Sequence, residues 1–182
     1  KNFLFESLQF THRVLEYGSG QSTNEIAGHV KTLVSVEHDK KWFNKVVYML
    51  NSKACFFRFI HYFSFKPGTF TADNIKLLHR SPNMPYSPPD DGSYEQFKSY
   101  IKAPLKYGPF DVIFIDGRAR YHCAKFAETY LSHEDTIFFI HDFSLQQNIL
   151  DAGHRSDCTK VLDFLEIVDS NHSMFKFKKK KL

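Results

Sequence analysis

Cysteine is scarce in this 182-residue chain: Cys55, Cys123 and Cys158 stand far apart with no CxxC pair. That pattern suggests neither a disulfide framework nor a thiolate zinc site, and it fits a reducing, cytoplasmic setting. No apolar run approaches the roughly 18 residues of a membrane span. The start, Lys1-Asn2-Phe3-Leu4, has neither a signal-peptide layout nor an initiator Met. A domain cut from a longer chain, with neighbouring domains around it, is the expectation. Net charge is small, since 24 Lys and Arg against 20 Asp and Glu leave +4. The one strong charge run, Lys178 to Lys181, is expected to be a solvated tail, so nucleic acid is not the expected partner. Aromatic residues, in contrast, are abundant: 20 Phe and a 42% hydrophobic content supply the core of one ordinary domain.

Short apolar, β-rich runs alternate with helical stretches, the pattern of a parallel sheet covered by helices on both faces. Strands are expected at Arg13–Tyr17, Thr32–Glu37, Ala54–Ile60, Phe110–Asp116 and Thr136–His141. The last two are apolar on both faces, as central parallel strands require. Helices are expected over Lys40–Asn51 and from about Tyr121 to Leu131. The runs Asp163–Asp169 and Met174–Lys180, joined by Ser170-Asn171-His172-Ser173, read as a closing antiparallel hairpin. Together these make an α/β fold with seven strands in a single domain, 1–182. The segment 66–91 carries five prolines and is expected to be an insertion or lid over the carboxyl ends of the strands. Phe3, Phe5 and Phe10, and Phe63, Phe65 and Phe70, fall outside the expected strands.

The first chemical motif is Glu16-Tyr17-Gly18-Ser19-Gly20-Gln21-Ser22-Thr23, a strand running into a small-residue turn and a helix start. Such a turn lets the backbone approach a polar or anionic group. It lacks the full GxGxxG of a dinucleotide fold and the GKS/T of a P-loop. Glu37 ends the next strand about twenty residues on, where an acid can accept both hydroxyls of a ribose. Asp39 is the other carboxylate there, and Glu37 is preferred because it directly follows Val36.

Glu16-x-Gly18-x-Gly20 followed by Val36-Glu37 resembles the class I S-adenosylmethionine-dependent methyltransferases, from Arg13 to about Lys180. The resemblance implies a Rossmann-like, seven-stranded, mostly parallel sheet with a reversed C-terminal hairpin, and S-adenosyl-L-methionine as cofactor. It assigns Glu16, Gly18, Ser19, Gly20, Ser22 and Thr23 to the methionine part and Glu37 to the ribose. Ser22 stands where many members have glycine. Adenine recognition is expected from Ser93 and Tyr94, at a helix start whose Ser93 and Gln96 also read as a simple capping box. Trp42 is expected either near the adenine or in ordinary helix packing.

The ends of the fourth and fifth strands, Asp116-Gly117-Arg118-Ala119-Arg120 and His141-Asp142-Phe143, place two carboxylates and an imidazole at the carboxyl edge. Acids at these positions resemble those that hold magnesium in catechol-type and macrolide-sugar O-methyltransferases, which implies Mg2+ or Mn2+ at Asp116 and Asp142. Phe143 departs from that pattern, which continues with Asp or Asn. Without metal, His141 or Asp116 would be the general base, and Asp116 is also a candidate cofactor contact. Arg118 and Arg120 would either clamp an acidic substrate or the cofactor carboxylate, or neutralise the neighbouring acids. The string Asp116 to Arg120 with Cys123-Ala124 also resembles methyltransferase-like domains associated with glycan modification. The expected function is therefore O-methylation of a sugar or glycan hydroxyl, with Asp116, His141 and Asp142 catalytic. The alternatives are methylation of nucleic acid or protein, and a catalytically silent binding module of the same fold.

Overall fold

A computed structural model describes residues 2–56, 63–66, 69–72, 74–86, 90–143 and 156–181. After a short helix α1 (Asn2–Phe5) come β1 (Arg13–Tyr17), α2 (Gln21–Ala27), β2 (Thr32–Glu37) and α3 (Lys40–Phe56). Then follow β3 (Phe63–Lys66), β4 (Thr69–Ala72), β5 (Ile75–His79) and α4 (Tyr94–Lys102). The second half holds β6 (Phe110–Ile115), α5 (Arg120–Tyr130), β7 (Ser132–Ile140), a 3-10 segment (Ser156–Asp163), β8 (Leu165–Asn171) and β9 (Met174–Lys179).

The strands form one sheet in the order β3-β4-β5-β2-β1-β6-β7-β9-β8. β5, β2, β1, β6 and β7 run parallel, and β9 and β8 close the sheet as an antiparallel pair. This is the expected seven-stranded arrangement, extended at the β5 edge by the antiparallel β3–β4 pair. Side chains alternate across the sheet, so successive residues feed two cores. Val14, Leu33, Val112 and Phe139 pack with Leu4 and Ile26 on one face, where Phe43, Val46 and Leu50 of α3 also cover Leu77. Leu15, Tyr17, Val34, Ile113 and Phe138 pack with α4 and α5 on the other. Phe3 and Phe5 join the first of these cores, whereas Phe10 is 77% exposed.

Three expectations about elements change. Ala54 to Phe56 finish α3 rather than opening a strand, because Phe43, Val46 and Leu50 at helical spacing extend one apolar stripe; Phe57–Ile60 lie outside the described residues. The third parallel strand is instead Ile75–His79, in register with Leu33–Glu37. The segment 66–91 is consequently not one insertion over the site: among its described residues it holds β4 and the core strand β5. The closing hairpin turns more tightly than four residues, at His172-Ser173, with His172 at φ 54°. Among the described residues no helix is long and apolar enough to cross a membrane.

Candidate active site

A cleft of about 880 Å³ opens at the carboxyl ends of β1, β2, β6 and β7. Its floor is where Gly18, at φ +92°, meets Gly117. A Cβ on Gly18 would lie 2.6 Å from the Gly117 backbone, and one on Gly117 would lie 2.1 Å from the Tyr100 hydroxyl. Both glycines are therefore demanded by the protein itself. Gly20 is different: its backbone is extended and a Cβ there would meet nothing closer than 4.0 Å.

Glu16 lies beneath this turn, fully buried. Its carboxylate accepts hydrogen bonds from the hydroxyls of Ser22 (2.7 Å), Thr23 (2.7 Å) and Ser35 (2.6 Å). Ser35 is its register partner on β2. Burial outweighs these bonds and pushes the Glu16 carboxyl up to about 7. Glu16 and Thr23 thus organise the turn from below and do not line the cleft, whereas Gly18, Ser19, Gly20 and Ser22 do.

Glu37 is 3% exposed and faces the cleft from the end of β2. The amides of Ser19 (3.0 Å), His38 (2.8 Å) and Asp39 (2.7 Å) all donate to it. Beside it His38 Nε2 lies 2.9 Å from the Tyr86 hydroxyl, and the two rings pack against Phe97. His38 and Tyr86 both line the cleft. The Trp42 indole N–H donates to the Ser19 carbonyl, and its ring lies at the cleft under the Lys45 ammonium. Ser93 and Tyr94 do not reach this place. Ser93 spends its amide and hydroxyl capping α4 with Gln96, and Tyr94 lines a separate groove with Lys102, His122 and Phe126.

At the other end of the cleft, Asp116, His141 and Asp142 bring ligating atoms within 4.8 Å of one another. His141 Nδ1 lies 2.9 Å from Asp116 Oδ1 and 3.4 Å from Asp142 Oδ1. Its Nε2 is 3.3 Å from the Ser173 hydroxyl. The contact with Asp116 raises the His141 pKa above its ordinary value against the opposing effect of burial. Asp142 takes the left-handed backbone conformation, φ 56°. Leu4, Phe5, Phe114 and Met174 form an apolar wall of the same cleft.

The two arginines part company. Arg120 is 3% exposed and pairs with Asp91 at 2.6 Å and Asp142 at 3.5 Å. Asp91 further accepts the Arg120 amide at 2.8 Å, while its carbonyl accepts the Ala119 amide at 2.6 Å. Both arginines line the cleft, but Arg118 makes no ion pair or side-chain hydrogen bond among the described residues. Sequence reasoning missed Asp91, His38 and Tyr86 as site residues. Asp91 had no motif to mark it, but His38 adjoins Glu37 and was within reach.

No protein-family model and no curated protein matches the sequence. Among solved structures, the chain resembles a putative rRNA-methylase of Clostridium thermocellum, with TM-score 0.60 and 10% identity over 99% of this chain and 93% of that one. It also resembles the fibrillarin of Aeropyrum pernix, crystallised with natively bound S-adenosyl-L-methionine, with TM-score 0.55 and 11% identity over 93% of this chain and 67% of that one. It spans 51% of the YcgJ protein of Bacillus subtilis, at TM-score 0.49 and 14% identity over 81% of this chain. The chain has the class I methyltransferase fold. In that fold the chain runs outward from β1 through β2 to β5 on one side and then crosses back through α4 to β6 on the other side of β1, and a crevice opens at this switch point. The class I methyltransferase fold thereby gathers the glycine turn, Glu37 and the Asp116 loop around one opening, although they lie far apart in sequence.

Proposed function

We propose that the chain is an S-adenosylmethionine-dependent O-methyltransferase whose acceptor is a hydroxyl of a sugar or glycan. One observation carries the reading: the glycine turn, Glu37 and the Asp116–His141–Asp142 cluster face a single cleft. In this reading the turn from Gly18 to Ser22 takes the methionine part of the cofactor. Glu37, held by three amides, keeps acceptor capacity for the ribose hydroxyls, and His38 and Tyr86 flank the adenine. The bound cofactor of the fibrillarin structure supports this choice of ligand. The apolar side chains of Leu4, Phe5 and Met174 in the same cleft as the acids suit a ring with a C–H face and a hydroxyl edge.

When bound, S-adenosylmethionine would supply the methyl group, its sulfur keeping the electron pair of the carbon–sulfur bond as the acceptor oxygen takes the methyl, and the chain's own task is to accept the hydroxyl proton. With His141 Nδ1 turned to Asp116 at 2.9 Å, Nε2 is the nitrogen that takes the proton, the acceptor hydroxyl displacing the Ser173 hydroxyl that now lies 3.3 Å from it. Two carboxylates and an imidazole nitrogen within 4.8 Å also fit a divalent ion, and the mixed set suits Mn2+ better than Mg2+. Such an ion supplies Lewis-acid activation of the acceptor hydroxyl. Calorimetry with S-adenosylmethionine and its demethylated product tests the cofactor half, and absence of binding overturns it. Methyl transfer to a panel of methyl glycosides, with EDTA and with Mn2+ restored, tests the rest. Full activity in both His141→Ala and Asp142→Ala would overturn acceptor activation at this edge.

A further inference from the structure

The acceptor edge sets the carboxylates of Asp91, Asp116 and Asp142 against the guanidiniums of Arg118 and Arg120 and the His141 imidazole, so an anion there is met by a particular arginine and not by a surplus of positive charge. Asp116 and Asp142 share His141 between them, at 2.9 and 3.4 Å. Asp91 is matched to Arg120 at 2.6 Å. Arg118, two residues from each of Asp116 and Arg120, has no ion pair or side-chain hydrogen bond among the described residues, yet it is half-buried on the cleft wall. A second donor lies on the same loop. Arg120 also lines the cleft, and its Nε is buried without a hydrogen-bond partner.

The loop bearing both residues is rigid. Asp91 ties down the amides of Ala119 and Arg120, Ala119 sits at φ 52°, and the Cys123 thiol reaches the Arg118 carbonyl at 3.4 Å. A half-buried guanidinium on a loop whose backbone is tied down, close enough to Asp91 to act on it but with no ion pair or side-chain hydrogen bond of its own among the described residues, can take an anion without first breaking a direct pair. We infer that Arg118, with the spare Nε of Arg120 behind it, binds a carboxylate or phosphate carried by the acceptor. The acceptor is then an acidic hydroxyl compound, of which a uronic acid is the simplest sugar. This rests on the methyl-transfer reading above and narrows its substrate class.

The test is calorimetry on the full chain loaded with the demethylated cofactor product, using glucuronate and glucose as probes. Glucuronate is expected to bind roughly tenfold more tightly than glucose, as a charge-assisted pair would give. Arg118→Ala should erase that preference, Arg118→Lys should recover part of it, and the affinity of either variant for the cofactor should stay within about twofold of the parent. Equal affinity for the two probes, or a preference that survives Arg118→Ala, overturns the inference. So does a loss in Arg118→Ala that falls on S-adenosylmethionine and not on its decarboxylated analogue, since the bound carboxylate is then the cofactor's own. If the parent chain binds no cofactor, the methyl-transfer reading fails by itself, and the same two probes titrated into the free chain still decide the anion site.

Discussion

Glu16 and Gly20 show how single residues divide labour between fold and ligand. Burial places the Glu16 carboxyl at about 7 in the folded chain, against 4.5 for a free side chain. The folded state therefore keeps a proton that the unfolded state releases, so the group's contribution to stability is fully present below pH 4.5. It is lost as pH rises through about 7. The shift corresponds to about 3 kcal/mol. Urea unfolding of the parent chain should weaken by an amount of that order between pH 5 and 8, while Glu16→Gln should be nearly flat over the same range. The glycines make a paired prediction. Gly18→Ala should destabilise the chain by about 2 kcal/mol or more, from strain at positive φ and collision with Gly117. Gly20→Ala should leave the unfolding midpoint unchanged and weaken cofactor binding roughly tenfold, about 1.4 kcal/mol, by calorimetry. The motif Glu16-x-Gly18-x-Gly20 was legible in the sequence, but these separate tasks were not. They depend on what Gly117, Tyr100 and Ser35 bring from other strands.

Among the elements, the loop from Asp116 to Arg120 owes its shape to a residue outside it. Asp91 precedes α4, yet it holds the start of α5 through Arg120 and Ala119. Among the described residues, Asp91→Ala would leave the buried Arg120 with the longer contact to Asp142 as its ion pair. It should cost about 3 kcal/mol in urea unfolding, the scale for breaking a buried ion pair, and should lower methyl transfer along with it. β1, β2, β6, β7 and the β8–β9 hairpin were readable because continuous apolar runs and a polar turn carry their own signal. The third parallel strand was misplaced because Ala54 to Ile60 has strong β composition, whereas Ile75–His79 is short, half-buried and interrupted by Lys76. Neighbours decided that case: Leu77 needs α3 above it, and the pairing with Leu33–Glu37 needs a strand. Ser93 and Tyr94 failed for the reason already latent in their sequence, a capping box that closes on itself.

For the molecule as a whole, strand order puts the cleft at the switch between β1's two neighbours, and the two cores on either side of the sheet hold its walls apart. Cofactor binding to the folded chain alone should raise its stability by about 2.7 kcal/mol at a hundredfold excess over Kd. A thermal melt with S-adenosylmethionine is the check, and an unmoved midpoint would count against the cofactor assignment. The chain has one tryptophan, and that residue leans on the glycine turn through the Ser19 carbonyl while remaining 37% exposed. Tryptophan-selective fluorescence of this chain thus comes from the rim of the cleft. The protein carries a built-in optical gauge of occupancy, readable in a stopped-flow cell without any label.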